Sequence, residues 1–151
     1  MEVNWHWNYK LLNYNKSVYV KSMIENKEFK SCILIDTNGL ITSIKYHVDI
    51  FYELKLLGYI NFFVLQSVIN ELDSIILKKK YENKYAKIAK SLIKFCSVIK
   101  CNGYTDDLIL DFAMKFNYSV FTNDKILKIR LIKKNICVVY LRNKKKLEKT
   151  I

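Results

Sequence analysis

Proline is absent from this chain, and glycine occurs only three times in 151 residues. With both usual turn markers scarce, asparagine and the three glycines must mark most turns, and no Pro-rich or low-complexity linker divides the chain. Histidine is as sparse: His6 and His47 stand alone, with no Cys–His or Ser–His–Asp grouping to support nucleophilic catalysis. The four cysteines, Cys32, Cys96, Cys101 and Cys137, form no C-x-x-C pair and have no histidine at zinc-finger spacing. Three of them lie within or beside apolar runs, which fits free, buried thiols in a reducing compartment. No stretch approaches the ~18–20 apolar residues of a membrane span. The opening MEVNWHWNYK has no charged start followed by an apolar core, so neither a secretory leader nor a membrane partner is expected. A cytoplasmic protein is expected, or a nucleolar one in a eukaryote.

Acids are few beside bases, 14 against 26, giving a formal charge of +12 and a pI near 9.5. Such a balance favours polyanionic partners, nucleic acid above all. The excess gathers toward the end: from Lys125 to Lys149, ten basic residues stand against one acid, Glu148. The length suits one domain, long enough to bury roughly 68–70% of its unfolded surface.

From Ser31 onward, short apolar runs alternate with longer helical stretches, the pattern of a parallel sheet covered by helices. The spacing predicts strands at Ser31–Ile35, Asn61–Leu65, Ser97–Lys100, Tyr118–Phe121 and Cys137–Leu141, five in all. Helices are predicted over Leu40–Leu57, from a Ser67 cap to about Lys79, over Lys84–Phe95, from a Thr105 cap to Phe116, and over Asp124–Lys134. Residues 1–30 carry Trp5, Trp7, Tyr9, Tyr14 and Tyr19 without a clean period, and they read as an extension packing on a domain that spans 31–151 and ends in a basic tail.

The most informative pattern is acidic. Asp36 closes CILID, Glu71 follows NFFVLQSVIN, Asp106 follows SVIKCNGYT, and Asp124 follows YSVFTN, so each acid stands just beyond an apolar run. Parallel strands bring their carboxyl ends to one crevice, where acids placed one per strand can meet. Packed carboxylates repel one another and either protonate or bind a cation. Singly, each acid could merely cap a helix for roughly 0.5–1 kcal/mol. Capping would be met equally by Ser, Thr or Asn, however, and all four positions hold carboxylates. At about 100° per residue, Asp106 flanks the apolar face of its helix while Asp107 lies opposite, so Asp106 is the better candidate. Glu71 and Asp73 flank their apolar stripe equally, and Glu71 is preferred as nearer the strand end.

These residues resemble the PIN-domain nucleases, over about Ser31 to Arg142. CILIDTNGLI looks like the family's first motif, with Asp36 and Asn38; QSVINELD is similar to the second, with Glu71; YTDDLILDFA resembles the third, with Asp106 or Asp107; VFTNDKILKIRL resembles the fourth, with Thr122, Asn123 and Asp124. Gln66 departs from the pattern, since relatives commonly carry Pro before the Ser or Thr. ICVVYLRNKKK is most similar to the ribosomal-RNA-processing branch and its archaeal relatives. The resemblance implies a three-layer α/β/α sandwich around a mainly parallel five-stranded sheet. It also implies Mg²⁺ or Mn²⁺ held by Asp36, Glu71, Asp106 and Asp124, with Asn38 and Thr122 orienting those acids. The activity implied is hydrolysis of RNA, with ribosomal RNA or its precursor as substrate and a second copy or ribosome-assembly factors as partners. Two other readings lie within the same fold: a VapC-type toxin ribonuclease, and an RNA-binding scaffold without turnover.

DTNGLIT also resembles the haloacid dehalogenase phosphatase motif, but Asn38 stands where that family has its second Asp. The later motifs come in the wrong order, because TDD at Thr105–Asp107 precedes the Thr122 candidate. A response-regulator receiver would pair two acids after its first strand, and none neighbours Asp36.

Overall fold

The computed structural model describes residues 31–78 and 81–150, so the aromatic anchors of residues 1–30 lie outside the described residues. The first strand, β1 (Cys32–Ile35), is buried along its whole length and sits at the centre of the sheet, as a continuous apolar run with no polar face requires. Around it lie β2 (Asn61–Leu65), β3 (Ser97–Ile99), β4 (Ser119–Phe121), β5 (Val138–Arg142) and β6 (Lys146–Lys149), in the order β3-β2-β1-β4-β5-β6. The first five strands are mutually parallel, as the alternation of runs and helices predicts. The sixth pairs antiparallel with β5.

That sixth strand is the main addition to the expected sheet. The basic stretch expected as a tail folds back on itself through Asn143 and Lys144, both at positive φ, and buries Leu147. Its lysines then lie along a sheet edge, where charge discourages pairing with other chains.

The helices are α1 (Thr37–Lys45), α2 (Ile50–Leu56), α3 (Gln66–Leu77), α4 (Asn83–Leu92), α5 (Thr105–Phe116) and α6 (Lys125–Lys133). With right-handed crossovers, this strand order places α1 to α4 on one face and α5 and α6 on the other. Contacts of α4 with α1 and α3, and of α5 with α6, agree, giving a three-layer sandwich.

The single helix expected over Leu40–Leu57 is two helices. His47 enters the left-handed region at φ 56°, and Asp49 restarts the helix by accepting the Tyr52 amide at 3.1 Å. The Ser67 cap is also corrected: α3 begins at Gln66, directly after β2, and the Ser67 hydroxyl is buried without a hydrogen-bond partner. Thr105 does not cap α5 either, because Tyr104 holds that position and the Thr105 hydroxyl is used elsewhere. Asparagine does mark turns as the missing prolines require, with Asn117, Asn135 and Asn143 all at positive φ.

The core runs along both faces of the sheet, through Ile33, Leu34, Val64, Val120, Phe121, Val138 and Val139. None of the four cysteines is in a disulfide, but only Cys32 is buried; Cys96, Cys101 and Cys137 are half-buried, against the expectation of buried thiols. Among the described residues no helix is long and apolar enough to cross a membrane.

Candidate active site

The chain leaves β1 toward β2 and leaves β4 toward β5, on opposite sides, so a crevice opens where these neighbouring strands end. Register then decides what faces it. Ile35 pairs with Phe121, and the Asp36 amide donates to the Phe121 carbonyl at 3.0 Å, which sets Asp36 level with Thr122. The fully buried Thr122 hydroxyl donates to Asp36 Oδ2 at 2.7 Å and accepts the Asp124 amide at 3.0 Å. One hydroxyl, spending its donor and one acceptor position, thus ties together the acids that end β1 and β4.

Close approach makes this junction possible. A Cβ on Gly39 would lie 3.0 Å from the Phe121 ring and 3.1 Å from its carbonyl oxygen, so any larger residue would press α1 away from β4. Asp124 caps α6, its Oδ1 accepting the Leu127 amide at 2.8 Å. Asn123 clips the intervening loop to β5, donating to the Leu141 carbonyl at 3.1 Å and accepting its amide at 2.8 Å.

The second acid arrives from the other side. Glu71, in the second turn of α3, accepts the Thr37 hydroxyl on Oε2 and the Thr105 hydroxyl on Oε1, each at 2.5 Å. Those threonines are the first residues of α1 and α5, so one carboxylate on α3 joins two other helix starts through charge-assisted bonds. Asp106 follows in the first turn of α5 and is exposed.

A cavity of about 360 Å³ receives Asp36, Glu71, Asp106 and Asp124, all four acids that the sequence singled out. The rejected neighbours face away and are neutralised: Asp107 accepts from Arg130 at 2.5 Å, and Asp73 is ion-paired with Lys90. Asn38 lines the cavity too, but its side-chain oxygen accepts from Thr42 at a long 3.4 Å, and the positioning of Glu71 falls to Thr37 and Thr105. Sequence reading gave neither threonine this work. The adjacency of Thr37 to Asp36 was one available signal; Thr105, one residue before Asp106, was another. Glu82, Lys45 and Tyr46 also line the cavity and were not foreseen: Lys45 and Tyr46 continue the face of α1 that carries Asn38, Ile41 and Thr42, and the packing of α4 against α1 brings Glu82 there.

The electrostatics follow from this crowding. Asp36 is 4% exposed, and burial, aided by the charges of Glu71 and Asp106, pushes its pKa to about 7 despite the opposing Thr122 bond. Asp106 is raised as well, first by desolvation and then by Asp124, against the pull of Arg130. Among the described residues no three carboxylates, imidazoles or thiols form a ready-made cage for an ion. The donor set nonetheless fits a hard divalent cation: four carboxylates on one cavity, held by hydroxyls rather than by lysine or arginine at Asp36 and Glu71, and destabilised by their own proximity.

A family model described as a PIN like domain matches residues 33–144. Ribonuclease VapC4 of Methanocaldococcus jannaschii is 31% identical over 123 residues, covering 77% of this chain and 94% of that protein. Ribonuclease VapC9 of Archaeoglobus fulgidus is 28% identical over 116 residues, covering 76% and 86%. Among solved structures, the PIN domain endonuclease Utp24 superposes with a TM-score of 0.66 at 26% identity, covering 80% of this chain and 92% of that one. VapBC2 from Rickettsia felis, solved with a DNA fragment from its promoter, shares the fold at a TM-score of 0.55 and 19% identity, covering 74% and 99%.

Proposed function

This chain belongs to the PIN-like domain family, and on that premise we propose that it is a divalent-cation-dependent endoribonuclease that hydrolyses phosphodiester bonds in RNA. The observation that carries the reading is the meeting of Asp36, Glu71, Asp106 and Asp124 at one cavity beside the β1–β4 crevice. The relatives named ribonucleases and the structural neighbour named an endonuclease support the same reaction class.

In this reading, Asp36, Glu71, Asp106 and Asp124 hold Mg²⁺ or Mn²⁺, directly or through water. The bound cation supplies positive charge that eases deprotonation of water and offsets the charge gathering on the phosphoryl oxygens during in-line displacement. The protein's share is placement. Thr122 fixes the Asp36 carboxylate, and Thr37 and Thr105 fix Glu71, so these acids meet the substrate already oriented. Burial and the neighbouring acids raise the Asp36 pKa to about 7 in the metal-free chain, so a cation bound there would displace a proton at neutral pH.

Ribosomal RNA or its precursor is the substrate we favour, on the likeness of the Ile136–Lys146 segment to the ribosomal-RNA-processing branch. A toxin ribonuclease is the second reading, favoured by the two VapC relatives. Incubation of the protein with labelled single-stranded RNA and Mn²⁺ tests the activity: cleavage lost on Asp36→Asn is the expected result. Retained RNA binding without cleavage under Mg²⁺ or Mn²⁺ would instead identify a scaffold. An antitoxin gene adjacent to this one would decide for the toxin reading.

A further inference from the structure

A second hollow, of about 550 Å³, is apolar where the first is acidic, and the two share no lining residue. Its walls come from the end of α1, the start of α2, the start of β2 and the turn that follows α4, through Ile44, Phe51, Ile60, Phe62 and Phe95. The Phe51 ring meets Phe62 edge-on at 5.1 Å and Phe95 at 5.4 Å, so the floor is a fixed aromatic cluster. That cluster is not closed over: Phe95 is 56% exposed and Ile60 67%. The charged residues of the lining, Asp49 and Lys55, offset each other. Large apolar side chains gathered in water mark a surface that something covers.

The point where the chain enters β1 identifies the cover. The Ser31 carbonyl accepts the Ile60 amide at 3.0 Å, and the Asn61 side chain donates to the Ser31 hydroxyl at 3.3 Å. Residues 1–30, outside the described residues, therefore join the domain beside Ile60, at the lip of the hollow. Their sequence carries Trp5, Trp7, Tyr9, Tyr14 and Tyr19, large rings that gain by burial. From Trp7 to Ser31 the chain can span roughly 35 Å as a helix and roughly 80 Å extended, so reach sets no limit on which ring arrives. A tethered segment also acts at an effective concentration of about millimolar, which a free partner has to exceed. A second copy fits less well, because it would bring another +12 of like charge to a hollow with no net charge to offset it.

We propose that residues 1–30 fold back over this hollow and seat Trp5 and Trp7 against Phe51 and Phe95. The inference goes beyond the ribonuclease reading and does not depend on it, since no residue of the acidic cavity takes part. Indole suits the place: its ring packs edge-to-face on phenylalanine, and the Asp49 carboxylate in the lining can accept its N–H.

Trp5 and Trp7 are the chain's only two tryptophans, so their selectively excited fluorescence in the full-length protein reads this segment alone. The expected result is emission to the blue of that in urea, with weaker quenching by acrylamide. Ile60→Glu and Phe95→Glu each put a charge into the hollow. Both should shift emission to the red and raise quenching toward the value in urea. Ile126→Glu, at an exposed position on α6 across the sheet, is the control and should change neither. Circular dichroism checks that each variant is folded, and the more exposed Ile60 provides the second site should Phe95→Glu unfold. Wild-type tryptophans as open to quencher as in urea would overturn the proposal. Tryptophans that stay shielded in both hollow variants would overturn it too, because their cover then lies elsewhere. Light scattering separates the remaining occupant: shielding should persist in the monomer, and shielding found only in a dimer would assign the hollow to a second copy instead.

Discussion

At the residue scale, the site turns on a buried carboxyl whose charge its neighbours oppose. Asp36 has a folded pKa near 7, raised from 3.8. A raised acid holds its proton more tightly in the folded state. Its stabilising share is therefore complete below about pH 4 and is lost as pH climbs toward 7. Asp106, shifted in the same direction, adds to that slope. In metal-free protein, Asp36→Asn should thus stabilise little at pH 4 and by about 1–4 kcal/mol at pH 8, read as the difference in melting temperature at the two values. A gain over the wild-type protein no larger at pH 8 than at pH 4 would mean that Asp36 is not strained by its neighbours. Thr122→Val keeps the shape and removes the donor to Asp36. It should cost about 1–3 kcal/mol in urea unfolding at neutral pH, and reduce cleavage roughly 10–100-fold by the precedent of residues that orient ligands.

At the scale of elements, helix starts position the site, and two substitutions separate general stability from positioning. Asp49→Ala removes the cap that restarts α2, away from the cavity, and should cost about 1 kcal/mol with cleavage unchanged. Gly39→Ala presses a methyl group against the Phe121 ring and carbonyl, where α1 meets β4. It should cost about 1–3 kcal/mol and also depress turnover, because Asp36 and Thr122 flank that contact. Denaturant midpoints together with cleavage rates distinguish the two. The same scale explains what could be read in advance. CILI was legible because full burial leaves no polar alternation, NFFVL because its apolar run packs on both faces with only partial exposure, and Asp36, Asp106 and Asp124 because each directly follows a strand or opens a helix. The break at His47 was not legible, since apolar spacing continues through it and only the Asp49 cap betrays it. Strand β6 was hidden by its lysines, which on an exposed edge look like a loose charged tail. The threonines that hold Glu71 come from helices distant in the chain, and spacing within one helix could not report them.

At the scale of the whole molecule, opposite charges are segregated: a protein of net charge +12 keeps five acids at one cavity, the four of the site and Glu82, and edges that cavity with lysine and tyrosine. Such a division draws in a polyanion while reserving the acidic floor for cations. A cation that binds only the folded chain stabilises it by mass action, by about 2.7 kcal/mol at a hundred times its dissociation constant. The melting temperature should therefore rise in millimolar Mn²⁺ for the wild-type protein and much less for Glu71→Gln. The most direct test of the central claim is calorimetric titration of the metal-free protein with Mn²⁺. Saturable binding that disappears in Asp36→Asn and in Glu71→Gln is the predicted result, because these two acids come from different strand ends and meet only at this cavity. Binding unchanged by both substitutions, or absent from the wild-type protein, would contradict it.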